Sequence, residues 1–93
     1  MKRRLRIPEN LQTLIRHLAP ELKRRVRSSL DEIKQSPESG KSLVENLQGL
    51  RSYKLGQFRI LYREGEVIEI VAIGPRKTIY QKVALEIKRS SHV

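Results

Sequence analysis

Residues 50–80, LRSYKLGQFRILYREGEVIEIVAIGPRKTIY, carry the alternation that decides the fold. Three short β-type runs are read in this stretch, 50–56, 57–63 and 66–73, each rich in aliphatic, aromatic or β-branched side chains. Gly56 marks a tight turn between the first two. Glu64-Gly65 joins the second to the third, and Gly65 is expected to supply the positive φ that a hairpin turn needs. An antiparallel meander is the simplest arrangement. The third run is apolar on both parities around Glu69, which predicts a strand that is covered on both faces or central in its sheet. Gly74-Pro75 is expected to stop that strand, and Thr78 to cap a helix in which Ile79, Tyr80, Val83, Ala84 and Ile87 recur at helical spacing.

Towards the N-terminus, residues 2–7 alternate Arg4 and Arg6 with Leu5 and Ile7, the two-residue period of a strand with one buried face. Pro8 suits the first position of a helix, and Leu11, Leu14, Ile15 and Leu18 then fall on one stripe, predicting a helix to about Ala19. Pro20 restarts the chain. Leu22, Val26, Leu30 and Ile33 give a second stripe, so two helices form a hairpin with both stripes inward. Residues 35–42, QSPESGKS, have the Ser, Pro and Gly density of a loop, with Leu43, Leu47 and Leu50 packing beneath it. The expected class is α+β, in the order β-α-α-β-β-β-α: a small antiparallel-rich sheet, an N-terminal helical hairpin and a C-terminal helix. Residues 1–93 form one domain in this reading, without internal repeats.

Composition narrows the chemistry. The chain has 20 Lys and Arg against 10 Asp and Glu, a formal charge of +10, and its 28 Leu, Ile, Val and Phe residues among 93 suffice for a packed core. Ten of the basic residues fall within residues 1–34, against four acidic ones. A solvated helix face accounts for Lys23, Arg24, Arg25 and Arg27 taken singly, but the total charge points to an anionic partner, nucleic acid first. With no Cys there is no disulfide, no iron–sulfur site and no thiol nucleophile. Only His17 and His92 offer imidazole, so neither a His-based metal site nor a Ser/His/Asp triad is expected. His17 reads as a helix-boundary residue and His92 as part of a frayed end. No metal or cofactor is called for. The longest apolar run, residues 70–73, is too short to span a membrane, and no signal-peptide pattern follows the basic start, so a soluble cytoplasmic protein is expected.

The candidate site residues cluster in the second half: Arg51 and Lys54 on the first run, Arg59 and Arg63 on the second, then Arg76, Lys77 and Tyr80. Arg59 lies between Phe58 and Ile60 and so projects from the opposite face. If Phe58 and Ile60 face the helices, Arg59 lies on an uncovered face, which Lys54 can share across the turn. Arg76 follows the neighbouring strand, and Tyr80 stands one helical turn on. Guanidinium and ammonium groups converging with a phenol suit a phosphodiester, because they neutralise charge that builds on phosphate oxygens. Each residue also has a plainer reading: Arg59 paired with Glu69 across the sheet, Tyr80 as core, Lys54 and Arg76 as ordinary surface.

Two segments together tip the balance: Leu50-Arg-Ser-Tyr-Lys-Leu-Gly-Gln-Phe-Arg-Ile-Leu-Tyr62 and Ile73-Gly-Pro-Arg-Lys-Thr-Ile-Tyr80. They resemble the RelE/ParE superfamily of bacterial toxins, and within it the RelE-like branch. The order of elements is similar over nearly the whole chain. The resemblance implies a metal-independent endoribonuclease, an mRNA interferase that cuts messenger RNA in the A site of the 70S ribosome. It implies that Lys54, Arg59, Arg76 and Tyr80 are catalytic, with Arg51, Arg63 and Lys77 as further RNA-binding residues. In that chemistry the 2′-hydroxyl attacks the adjacent phosphate in line. Lys54 helps to activate the hydroxyl; Arg59 and Arg76 stabilise the transition state, and Tyr80 stacks on or hydrogen-bonds a nucleotide.

The chain departs from the pattern at two places. Pro75 stands where many relatives carry a His, which leaves the general acid open, with His92 as one candidate. Ser52 stands where some carry a further basic residue, with Arg51 or Lys77 as candidates to replace it. The resemblance also implies a cognate acidic antitoxin, wrapping the basic surface by β-augmentation or by a helix in a groove. Free toxin is expected to be monomeric, with operator DNA bound only by the toxin–antitoxin complex. Two alternatives stay open: a ParE-like DNA gyrase inhibitor that acts by binding, and a non-catalytic RNA- or ribosome-binding module.

Overall fold

A computed structural model of the chain describes residues 3–90. Its centre is a five-stranded sheet built from β1 (Arg4–Arg6), β2 (Lys41–Ser42), β3 (Leu50–Leu55), β4 (Phe58–Arg63) and β5 (Val67–Pro75), in the spatial order β1-β5-β4-β3-β2. The helices are α1 (Glu9–Arg16), α2 (Pro20–Gln35) and α3 (Arg76–Ser90). The expected meander is present in β3, β4 and β5, while β1 adds to β5 in parallel. The short β2 falls in the segment expected to be loop, because two residues show no period.

Leu55 pairs with Phe58, leaving Gly56-Gln57 as a two-residue hairpin turn. Gly56 has φ +58 at the first central position, the place where a type II′ turn requires glycine. Gly65 was expected to play this part and does not: it is absent from the positive-φ residues, which among the described residues are Glu45, Gly49 and Gly56. The connection from Arg63 to Val67 has three residues, so the reversal is spread over a longer link, where the Gly65 carbonyl accepts a bond from Arg3 Nη1 at 3.0 Å.

The mixed parity of β5 has a geometric cause. Leu61 pairs with Ala72 and Tyr62 with Ile70, so Val71 is an extra residue in the strand, a β-bulge. Ile68, Ile70 and Ile73 therefore join one core, and Val71 and Ala72 the other. The strand also runs past its expected stop, since Gly74 pairs with Arg59 and Pro75 with Phe58. Proline is tolerated there because it ends the ladder. Helix α3 begins at once at Arg76, whose main-chain N–H donates to the Gln57 carbonyl at 2.7 Å. Thr78 thus lies inside the helix and is not its cap.

The sheet has a core on each face. Leu11 and Ile15 of α1 with Val26, Leu30 and Ile33 of α2 pack on Ile60, Tyr62, Ile68, Ile70 and Ile73. On the other face Ile79 and Val83 of α3 cover Leu50, Leu61 and Ala72, with Leu43 and Leu47 at their margin. Helix α1 stops at Arg16, short of the expected Ala19, and His17 caps it, its Nδ1 lying 2.8 Å from the Thr13 carbonyl oxygen. Among the described residues no helix is long and apolar enough to cross a membrane.

One phenol ties the loop before β2 to the middle of the sheet. Tyr62 is 0% exposed; its hydroxyl donates to the Pro37 carbonyl at 2.5 Å and accepts from the Gly40 N–H at 2.9 Å. A Cβ on Gly40 would lie 2.6 Å from that oxygen, so only glycine fits. Tyr62→Phe strands two buried main-chain groups and is expected to cost about 1–3 kcal/mol in urea denaturation. Burial holds the Tyr62 phenol above its ordinary value of 10.0, and the hydrogen bond to Glu32 raises Tyr53 likewise. Both groups favour the folded state while neutral. Their contribution is complete below pH 10 and is lost as pH rises through the higher folded-state values. Stability measured from pH 9 to 12 is expected to fall less steeply in Tyr62→Phe than in the native chain.

Candidate functional site

Lys54 and Arg59 are direct cross-strand partners, so their side chains leave the same face of the β3–β4 hairpin. That face was expected to be uncovered, and it is open only at one end. Helix α3 lies over the rest, Ile79 and Val83 sitting on Leu61 and Ala72. Gly74, beside Arg59 on β5, admits the helix this closely: a Cβ there would come within 2.9 Å of Ile79 Cδ1. Where α3 ends its cover, a cavity of about 570 Å³ opens. Lys54, Arg59, Tyr80 and Ser52 line it from the sheet and helix, and Lys41, Leu43 and Ser39 close it from the β2 side. Among the described residues three cations face this space and no carboxylate lines it.

The plainer readings fare unequally. Arg59 does not pair with Glu69, which instead holds Arg63 at 3.0 Å and lies opposite it in the ladder. Arg59 Nη1 donates to the Gly56 and Phe58 carbonyls, both at 2.8 Å, which anchors the guanidinium over the hairpin turn and leaves its other N–H groups for an anion. Tyr80 answers to both of its readings. Its ring packs against the α3 core, while its hydroxyl lies 2.8 Å from Ser52 Oγ at the cavity wall. Ser52 itself is buried, at 7% exposure, so this pair fixes the phenol against the sheet.

The other four residues are not gathered there. Arg76 is exposed, and its main-chain bond to Gln57 places it beside the Gly56-Gln57 turn, but its side chain is not among those lining the cavity. Lys77 is likewise exposed at the start of α3. Arg51 points to the other face, where Nε binds Glu64 at 2.8 Å and Nη1 binds the Gly40 carbonyl at 2.8 Å. Arg63 stands towards the far end of the sheet, beside Val71, Val83 and Ile87. Neither the Arg51 nor the Lys77 side chain therefore lines the cavity with Ser52. The further cation that does is Lys41, the partner of Ser52 across β2 and β3. Sequence reasoning missed it because it lies in a Ser-, Pro- and Gly-rich segment whose strand is too short to be seen. His92 lies outside the described residues.

The family model of the ParE toxin of type II toxin–antitoxin systems, parDE, matches residues 6–80. The chain belongs to this family, within the RelE/ParE toxin superfamily. Its fold is that of solved RelE structures. A mutant of the Escherichia coli toxin RelE in the free state is 18% identical, with a TM-score of 0.71 over 92% of this chain and 97% of that one. The toxin–antitoxin complex RelBE2 from Mycobacterium tuberculosis is 22% identical, with a TM-score of 0.71 over 82% of this chain and 100% of that one. The archaeal RelE–RelB complex from Pyrococcus horikoshii OT3 is 23% identical, with a TM-score of 0.67 over 84% and 99%. No curated protein matches. The expected RelE/ParE membership and α+β architecture are thus borne out.

In this toxin fold Gly74 links scaffold to cavity. Gly74→Ala puts a methyl group 2.9 Å from Ile79 Cδ1, so the end of this side chain must shift on the helix that carries Tyr80. Overpacking of this kind is expected to cost about 1–3 kcal/mol. Amide shift changes at Ser52 and Lys54 in NMR spectra check that the disturbance reaches the cavity.

Proposed function

We propose that this toxin is a metal-independent endoribonuclease of the RelE type, cutting messenger RNA in the ribosomal A site in the cytoplasm. The observation that carries the reading is the pairing of Lys54 with Arg59 in a cavity that Tyr80 also lines and that, among the described residues, no carboxylate lines. A binding-only toxin has no need of cations gathered with a phenol around one recess. Cleavage of a phosphodiester does, because negative charge builds on the non-bridging oxygens as the 2′-hydroxyl attacks.

In the proposed reaction the scissile phosphate sits against the free N–H groups of Arg59. Lys54, directly opposite, is within reach of the 2′-hydroxyl and assists its deprotonation. The oxygen–phosphorus bond forms as the bond to the 5′-oxygen breaks, leaving a 2′,3′-cyclic phosphate and a 5′-hydroxyl that takes up a proton. Tyr80, held by Ser52, stacks on or hydrogen-bonds a nucleotide and keeps the attack in line. Arg76, beside the hairpin turn, closes on the phosphate from the rim, and Lys77 meets the flanking strand. For Arg51 and Arg63, both held by carboxylates, the proposed RNA contacts come through the guanidinium edges that Glu64 and Glu69 leave free.

The M. tuberculosis and P. horikoshii neighbours are toxin–antitoxin complexes. By the same likeness this toxin is held by a cognate antitoxin, and the charge of +10 favours an acidic one. The unbound toxin is proposed to be monomeric, and operator DNA to be bound only by the complex.

The match to the ParE family model favours a second reading, inhibition of DNA gyrase by binding. Primer extension on a translated message separates the two: the nuclease gives 3′ ends within the A-site codon, and the gyrase inhibitor gives none but blocks supercoiling. Arg59→Ala is expected to lower the cleavage rate by about 10²–10³-fold, as loss of one preorganised charge contact does elsewhere. Arg76→Ala is expected to act in the same direction and less strongly. Growth inhibition and cleavage that survive both substitutions would refute the assignment.

A further inference from the structure

The cations of the sheet divide into two groups. Arg3 and Arg51 share Glu64, and Arg63 holds Glu69, so each has a carboxylate partner. Lys41 has none, like Arg4 and Arg6 on β1 and Lys54 and Arg59 in the cavity: it is exposed, takes part in no hydrogen bond or ion pair among the described residues, and lines the cavity. Its position follows from register. It stands opposite Ser52, which precedes Lys54 by two residues, and antiparallel partners project to the same face. Two residues along a strand span roughly 7 Å and one strand spacing about 5 Å, which puts the Lys41 Cα roughly 8 Å from that of Lys54. Arg59 lies one strand further away. A phosphate seated between Lys54 and Arg59 thus leaves Lys41 about one nucleotide step distant, beyond the Ser52–Tyr80 hydroxyl pair.

We infer that Lys41 contacts the phosphate next to the scissile one, so that the cavity grips two successive phosphates of a single RNA strand. This rests on the RNA-cleavage reading above and adds to it a substrate-contacting residue on β2. Holding the neighbouring phosphate fixes the path of the strand through the cavity, which is what in-line attack at the scissile linkage requires. The strand β2 is itself held in place through Gly40 and Tyr62, so the lysine is presented from an anchored edge.

The test uses the full chain with programmed 70S ribosomes and messages bearing one uncharged methylphosphonate at each linkage of the A-site codon in turn. Lys41→Met is expected to slow cleavage of the unmodified message about tenfold, the size of one lost charge-assisted contact, mainly through KM. Lys41→Arg restores most of it. Neutralising the linkage beside the scissile one slows the native toxin by a similar factor and slows Lys41→Met no further. If Lys41→Met cleaves at the native rate, or loses the same factor on every message, the inference is overturned. Coupling to the scissile linkage itself would also overturn it, placing Lys41 with Lys54 and Arg59 on one phosphate. Absence of any cleavage by the native chain would remove the nuclease reading, and with it the role of Lys41, an outcome distinct from the others.

Discussion

The pairing register of β3 with β4 is the constraint from which the rest of the site follows. Side chains alternate between faces with a period of two, so a slip by one residue would carry Lys54 to the α1–α2 core and bring Leu55 out to the cavity. The two-residue turn at Gly56-Gln57 prevents that slip, because Leu55 must then meet Phe58 and Lys54 must meet Arg59. The positive φ at Gly56 is thus a local requirement with a distant result. It places two cations face to face, with a third brought beside them through Ser52 and β2. The turn even serves the site directly, since the Gly56 carbonyl accepts the Arg59 guanidinium.

A sheet covered on both faces normally has no room for charged side chains, and this one makes room by unequal coverage. Helices α1 and α2 bury one face with Val26 and Ile33 fully enclosed. Helix α3 covers the other only where Gly74 allows Ile79 to approach and where the bulge at Val71 turns Ala72 towards it. Beyond that contact the face lies open, and there the polar residues Ser52, Lys54 and Arg59 replace the aliphatic ones. Tyr80 marks the boundary: its ring belongs to the core and its hydroxyl to the cavity.

Much of this was legible in the residue pattern, and what was not has identifiable causes. The helices showed themselves through stripes such as Val26, Leu30 and Ile33, and the meander through alternation around Arg59. The double-sided apolar character of β5 was visible, whereas its origin in a bulge was not, because an inserted residue leaves no mark in composition. Gly65 was read as the left-handed residue because hairpin turns favour glycine there; the longer link removed the need. Lys54 with Arg59 could be placed by parity alone. Arg51, expected as a further RNA-binding residue, stands three places before Lys54 and so has the opposite parity, and the carboxylate of Glu64 holds it on the opposite face. Lys41 gave no signal at all, since a strand of two residues has no period to detect.

The family match and the structural neighbours fix a scaffold, and one scaffold can serve different targets. The proposed activity is assigned where the scaffold leaves freedom, at the end of the sheet that α3 does not reach. A protein that only binds gyrase can carry its recognition residues on any exposed surface, with cations screened by nearby carboxylates as on most basic proteins. Here the carboxylates are drawn elsewhere: Glu64 to Arg3 and Arg51, Glu69 to Arg63, and Glu32 to Tyr53. Among the described residues the cavity cations have no carboxylate partner, and their fields add across the recess although Lys41 and Lys54 stay exposed to solvent. Like charges held together in this way oppose folding, a cost that an anionic group entering the recess, as in the proposed reaction, would offset. A phosphodiester strand supplies such groups at regular spacing, which matches a wall where cations stand on three neighbouring strands.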